Sequence, residues 1–455
     1  MSLWTSDEIV AATGGASHGA FVAHGVSIDT RSLEKGDLFV ALAGVRDGHE
    51  FVARAMELGA AGTLAAKQVS GPSVVVPDTL AALERLGVAA RDRSSAKRCA
   101  VTGSVGKTSV TQAIRAGLAR AGKAHSSVKS YNNHIGVPLT LARMPRDTER
   151  AVFEIGMNHA DEIAPLSRMV LPHVVVITTV GPVHTENFAD GEAGVAKAKA
   201  EIFAGMQRGG VAILNADNRW FGALNEAAAK AGVKVRTFGA GERCDAVLLD
   251  FSVAGAVGTV KARLGGEAVS FTILQTGEHW GLTSLAVLLA LEAMDVPRAT
   301  AFAALADFEP LEGRGAERQI SGFTLIDESY NANPISMASA IRTLGARPVK
   351  GRRIVALTDM LELGADGPEF HAGLASDLEA ARIDAVFCAG PLMKSLWDAL
   401  PATRQGGYAA NAEALAPLVV QAARPGDVVM VKGSNGSKAH LIASALMVGA
   451  SKKGA

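Results

Sequence analysis

Cysteine is scarce in this chain: Cys99, Cys244 and Cys388 lie far apart, with no Cys-x-x-Cys pair. That pattern excludes a disulfide framework and a zinc site, and it suits a reducing cytoplasm. Aromatic residues are also few, with four Trp and three Tyr, and 45 basic residues balance 45 acidic ones. A nucleic-acid binder needs a basic surplus against phosphates and aromatic faces for the bases, so that class is not expected. Long apolar runs are missing too. The longest, from Leu282 to Met294, is interrupted by Thr283, Ser284 and Glu292 and is too short to span a bilayer. The residues from Met1 to Asp7 lack the basic and apolar regions of a signal peptide. The expectation is a soluble, cytoplasmic, monomeric protein with small-molecule partners, no nucleic acid and no membrane insertion.

What is present points to three α/β domains, the number that 455 residues suggest at roughly 150 per domain. Residues 1–94 read as a small N-terminal α/β domain, with strands at Asp37–Leu42 and Ser73–Pro77 and a helix over Phe51–Ala61. A polar stretch, Arg91 to Arg98, reads as a connector. Residues 95–312 alternate strands (Ala151–Ile155, Val174–Thr178, Val211–Leu214) with helical stretches, which predicts a parallel sheet covered by helices. Two further strands, near Ala246–Phe251 and Val269–Leu274, break the alternation and read as an appended hairpin. Residues 313–455 read as a second, Rossmann-like α/β unit with four strand candidates.

The strongest local signal is Thr102-Gly-Ser-Val-Gly-Lys-Thr108, placed between a short strand and a helix. Glycines let such a loop curl so that its N–H groups point at phosphate oxygens. Lys107 reaches the terminal phosphates and the Thr108 hydroxyl a magnesium ion. The helix N-terminus adds further attraction for anions. Val101 stands where the generic motif has its first Gly. Three later runs set polar groups at or after strand-like stretches: Asn132-Asn-His-Ile-Gly-Val-Pro138, Glu154-Ile-Gly-Met-Asn-His159 and Thr178-Thr-Val-Gly-Pro-Val-His184. Ligands in open α/β sheets bind beyond the carboxyl ends of strands, and a carboxylate such as Glu154 beside phosphates suits magnesium. Taken singly, each of these residues reads as a cap or a satisfied core group. From the residues alone the chain binds a nucleoside triphosphate, and the reaction is open.

Five runs together resemble the Mur ligases: Thr102–Ser109, Ser130-Tyr-Asn-Asn-His-Ile-Gly-Val-Pro-Leu-Thr-Leu141, Glu154–Asn158, Lys199-Ala-Glu-Ile-Phe203 and Asp327-Glu-Ser-Tyr-Asn-Ala-Asn-Pro-Ile-Ser-Met337. Asp359-Met-Leu-Glu-Leu-Gly364, Asp29-Thr-Arg31, Asp47–Phe51 and Lys432-Gly-Ser434 extend the likeness over nearly the whole chain. The likeness is greatest to the family member that joins D-Ala-D-Ala to a UDP-MurNAc-tripeptide. That resemblance implies an ATP-dependent amide ligation through an acyl phosphate, with two magnesium sites. It implies that Gly103, Ser104, Val105, Gly106, Lys107, Thr108 and Ser109 hold the phosphates, with Lys107 catalytic. Thr108, Glu154, His184 and Lys199 would serve the metals, and Lys199 would be carbamylated. His279 and Thr283 would flank the base, and Arg314, Asp327, Tyr330 and Asn331 would close on the nucleotide. Asn132 and Asn133 would orient the peptide end of the substrate, while Ser27, Asp29, Thr30, Arg31, Asp47, Gly48 and His49 would contact the uridine diphosphate.

Without the resemblance, Lys199 is a solvated lysine in Ala-Lys-Ala-Lys-Ala-Glu, and Lys197, roughly opposite on a helix, is its natural control. Thr283 and Asn435 stand where the family usually has Asn and Arg. Two other readings compete: a relative that extends folate or another acid with amino acids, and a nucleotide-binding scaffold without turnover.

Overall fold

Buried strands in this protein are short runs of Val, Ile, Leu and Ala, and they assemble into three larger sheets and one two-stranded ribbon. The computed structural model describes residues 2–44, 46–127 and 130–451, with the backbone alone for 449–451. The architecture is mixed α/β, with mainly parallel sheets covered by helices, as the patterning predicts. Among the described residues no helix is long and apolar enough to cross a membrane.

The first sheet orders its strands as Ala16–His18, Ser73–Val75, Gly62–Ala65, Asp37–Val40 and Gly25–Ser27. Only the first runs antiparallel. The predicted helix at 51–61 is shorter, Val52–Glu57, entered through a 3-10 turn over Gly48–Phe51. Asp78 caps the helix Thr79–Asp92 by accepting from the N–H groups of Leu80 and Ala81. This helix packs on Gly136–Ala142 so closely that a Cβ on Gly87 would lie 3.0 Å from the Pro138 carbonyl. Trp4 Nε1 donates to the Ala142 carbonyl at 2.8 Å, which further joins this layer to the central one.

The expected connector at 91–98 is irregular only over 93–96. The helix reaches Asp92 and the next strand begins at Lys97. Arg98 is buried because backbone carbonyls of Val170 and Ala96 accept from its guanidinium at 2.8 Å, a use of charge that polarity alone does not signal.

The central sheet has nine strands, ordered 267–273, 257–264, 246–254, 234–239, 211–215, 174–177, 97–102, 150–154 and 124–126. The expected hairpin is in fact a three-stranded antiparallel meander joined edge-on to the parallel part. Its middle strand, Val257–Leu264, carries Gly, Lys and Arg and so lacks an apolar run. From Lys97–Thr102 the chain first builds the strands on one side and then crosses to 174–177 on the other. The phosphate loop therefore leaves the strand where the winding reverses, the usual place of a ligand crevice. Helix Trp280–Ala293 has ten of its fourteen residues buried, because the sheet and two helices enclose it.

The third sheet orders 316–320, 323–328, 428–432, 353–358, 385–389 and 405–409, parallel except for the first pair. Its two outer strands were not expected. Gln405–Ala409 holds two glycines, and Ala316–Ile320 is an edge strand with no buried residue.

Candidate active site

The loop after Lys97–Thr102 needs its glycines for two different reasons. A Cβ on Gly103 would fall 1.9 Å from Thr178 Oγ1, while Gly106 sits at φ +82, a left-handed conformation, in open space. Helix Lys107–Ala121 starts at once, so its first N–H groups lack intrahelical acceptors and face the cleft. Lys107 Nζ curls back to donate to the Gly103 carbonyl at 2.8 Å. Burial lowers the Lys107 pKa; Glu154 opposes that and Arg314 adds to it.

Glu154, at the end of strand Arg150–Glu154, is 2 % exposed and gathers the polar groups of the site. Its carboxylate accepts from Thr108 Oγ1, Ser130 Oγ and Asn132 Nδ2, each at 2.7 Å. Arg314, from beyond the central sheet, donates to Thr108 Oγ1 at 3.0 Å and lies 3.8 Å over the Tyr330 ring. Ser130 was not among the expected site residues. Its place, two before Asn132 in a run already singled out, was the available signal. Asn133 does not join this group: its Oδ1 accepts from the N–H groups of Ile135 and Gly136, capping the helix that follows.

His184 occupies a left-handed turn, φ +54, and its Nδ1 lies 2.8 Å from Glu362 Oε2 of the third sheet's loops. The pair is at hydrogen-bond distance but lacks hydrogen-bond alignment. Burial lowers the His184 pKa to about 4, with Lys107 and Lys199 contributing, so the imidazole is neutral. Lys199, on helix Glu192–Ala200, is 2 % exposed, whereas Lys197 on the same helix is exposed. Burial and the nearby Lys107 push the Lys199 pKa well below that of a free lysine. Among the described residues no carboxylate pairs with it.

Most of these groups border a cleft of about 720 Å³ between the central and third sheets, whereas Gly103, Asn133 and Lys199 are not among its lining residues. Ser104 to Ser109, Asn132, Glu154, His184, His279, Thr283, Arg314, Tyr330 and Asn331 line it. Burial also lowers the His279 pKa. Asp327 does not line the cleft. Its Oδ1 accepts from Ser329 N–H and Oγ, and the strand pleat turns Ile326 and Glu328 inward instead. Glu328, which accepts from Lys432 Nζ at 3.1 Å, and Glu362 are lining residues that the sequence reading had not placed in the site. Thr276 Oγ1 donates to Glu317, which Arg347 also grips, so the two sheets are tied beside the cleft. Among the described residues no three His, Cys, Asp or Glu side chains converge in a metal-binding group. The donor set instead mixes hydroxyls, single carboxylates, a neutral imidazole and a buried amine.

The residues expected at the uridine diphosphate lie apart from this cleft, at the end of the parallel strand Gly25–Ser27 and in the segments that follow it and Asp37–Val40. Ser27 Oγ donates to the Asp29 carbonyl, and Arg31 pairs with Asp29 at 2.6 Å while remaining exposed. Thr30 sits between them. His49 Nε2 accepts from Ala66 N–H at 2.8 Å, which leaves Nδ1 to donate to Asp47 Oδ1 at 2.5 Å. Gly48 is required where it stands, because a Cβ would lie 2.6 Å from the Leu42 carbonyl oxygen.

Comparison with known proteins matches residues 101–291 to the Mur ligase middle domain and 313–435 to the Mur ligase, glutamate ligase domain. The chain is 34 % identical over 440 residues to UDP-N-acetylmuramoyl-tripeptide–D-alanyl-D-alanine ligase of Bacillus subtilis, covering 94 % of this chain and 93 % of that protein. It is 35 % identical over 373 residues to the Escherichia coli protein of that name, covering 80 % and 81 %. Its fold superposes on a crystal structure of MurF from Acinetobacter baumannii with a TM-score of 0.86 and 26 % identity, over 98 % and 99 % of the two chains. The chain belongs to the Mur ligase family.

Proposed function

We propose that this protein joins D-Ala-D-Ala to UDP-MurNAc-tripeptide at the expense of ATP, forming UDP-MurNAc-pentapeptide for peptidoglycan synthesis in the cytoplasm. The observation that carries the chemistry is the carboxylate of Glu154, held between the phosphate-loop hydroxyl of Thr108 and the amide of Asn132. The named relatives, alike over most of the chain, support the choice of substrates.

The tripeptide carboxylate is a poor electrophile. Its oxygen attacks the terminal phosphorus of ATP, ADP leaves, and the acyl phosphate forms. The free amine of D-Ala-D-Ala then attacks the acyl carbon and loses a proton, and the tetrahedral intermediate expels phosphate. Lys107 and the loop N–H groups hold the phosphates, and Asn132 orients the acceptor carboxylate. Arg314, Tyr330 and Asn331 close on the nucleotide, with His279 and Thr283 beside the base. The loops at Ser27–Arg31 and Asp47–His49 take the uridine diphosphate.

The donor set fits magnesium. Thr108 and Glu154 supply oxygens for one ion, and His184 with Lys199 supplies a second position. Bound magnesium offsets the charge that builds when carboxylate meets phosphate. Lys199 contributes only after modification. Its amine is buried near Lys107, and both effects disfavour the ammonium form; the neutral amine adds carbon dioxide to give a carbamate and a proton. The product is an anion, which the nearby Lys107 and a bound metal would favour against the cost of burial.

The test is ATP-dependent phosphate release with UDP-MurNAc-tripeptide, with and without D-Ala-D-Ala. The expected result is release that requires both, with the pentapeptide product seen by mass spectrometry. Release with a folate or another acid and amine instead would move the assignment within the ligases. Nucleotide binding without any release would favour a scaffold.

A further inference from the structure

Two non-glycine residues in the left-handed region face one another across the cleft: His184 at φ +54 and Glu362 at φ +64. Such backbone is costly and persists where the surroundings over-determine it, commonly at functional sites. The loop bearing Glu362 is held from behind on several sides. Met360 N–H donates to the buried His371 Nε2 at 2.9 Å, Leu361 N–H donates to Ser434 Oγ at 3.0 Å, and Asp359 accepts from Met393 N–H at 2.8 Å. Its tip is also seated, since a Cβ on Gly364 would lie 3.2 Å from Glu186 Cβ. Anchored in this way, the loop aims the Glu362 carboxylate at one ring nitrogen of His184.

We infer that Glu362 is a positioning residue for His184, delivered by the third sheet's loops when they meet the central domain. The inference rests on the proposed role of His184 at the metal. With a carboxylate at Nδ1, the ring keeps its proton there and presents the Nε2 lone pair, the form a metal-binding histidine requires. The 2.8 Å pair lacks hydrogen-bond alignment in this structure, so the positioning contact requires the imidazole or the carboxylate to turn. Glu362 is 56 % exposed, so the pair adds little stability. What it sets is the direction of the ring. His184 is thus oriented only when the two domains are together, which ties metal binding to closure.

The test compares Glu362→Ala, Glu362→Gln and His184→Ala, alone and combined, with Asp366→Ala as an exposed control on the same loop. Mn²⁺ affinity is read by electron paramagnetic resonance with a non-hydrolysable ATP analogue present, so no turnover is needed. Kinetics of the full reaction are measured in parallel. Glu362→Ala is expected to weaken Mn²⁺ and lower kcat by about 10-fold or more, the usual scale for a carboxylate behind a metal-bound histidine, with the KM for D-Ala-D-Ala unchanged. Glu362→Gln keeps an acceptor oxygen and retains most of both, and Asp366→Ala behaves as wild type. In the His184→Ala background, loss of Glu362 costs nothing further. The inference is overturned by a Glu362→Ala protein that matches wild type, by a Gln variant as poor as the Ala variant, or by equal losses in both backgrounds. If the wild type makes no pentapeptide, the proposed function fails, while the Mn²⁺ titration still decides the role of Glu362.

Discussion

In the cleft, Glu154 gathers three donors at 2.7 Å, and behind its lining Lys199 is buried near Lys107 with no acid partner among the described residues. In the N-terminal loops, Asp29 and Asp47 instead hold their own neighbours, Arg31 and His49, near solvent. In the first arrangement buried Lys107 and Lys199 store an electrostatic cost that a phosphate or a carbamate relieves. The second is already satisfied, and an incoming anion must exchange one partner for another. Chemistry therefore belongs to the cleft, and the N-terminal loops are suited to holding one end of a long substrate.

The comparison breaks most sharply at the two lysines of one helix. Lys199→Ala is expected to cut phosphate release by about 10²–10³-fold, the scale of losing a preorganised charge at a reacting centre. Lys197→Ala, on the exposed side, leaves it unchanged; equal losses from both would remove the distinction. Glu154→Gln keeps the size and two of the acceptor's contacts but not the charge. It should lower kcat by about 10–100-fold and raise the magnesium needed for half-activation, which a metal titration of the steady-state rate reads out. In the N-terminal loops, Arg31→Ala should raise the KM for the UDP-linked substrate by about 10-fold, a share of binding worth one charge-assisted contact, with kcat and melting temperature unaltered. A fall in kcat as large as that of Glu154→Gln would place these loops in the chemistry.

The smallest effect concerns stability. Burial holds His125 at a pKa of about 4, below the 6.5 of a free histidine, while its Nε2 meets the Thr140 carbonyl at 2.7 Å. Between those values the unfolded chain binds the proton that the folded one refuses, so stability falls as pH drops from 6.5 toward 4. Melting curves across that window should show the decline, and His125→Gln should make it shallower, part of the remaining slope belonging to His184 and His279, which burial shifts the same way.

Much of the cleft was legible because phosphate recognition is local. Gly103, Gly106, Lys107 and Thr108 act through one turn of backbone and the helix behind it, so their spacing is visible in the chain. Glu154 and Asn132 were legible as polar residues at strand ends. Asn133 and Asp327 were not separable from their neighbours, because which of two adjacent polar residues faces the ligand depends on pleat and helix entry. Asn133 turned to cap a helix and Asp327 to bind Ser329, leaving Asn132 and Glu328 to line the cleft. Strands such as Val257–Leu264 were missed for a related reason, since a strand with one wet face needs no continuous apolar run.

The amino-acid sequence alone determined the α/β class, the phosphate loop and the choice of oxygen and nitrogen donors, all set by short-range periodicity and turn chemistry. The tertiary structure decided that Lys199 is buried while Lys197 is not, that Ser130 meets Glu154, and that Glu362 reaches His184 from 178 residues away. Those outcomes depend on which faces pack together and on the electrostatic cost of burying a charge, and no local pattern encodes either.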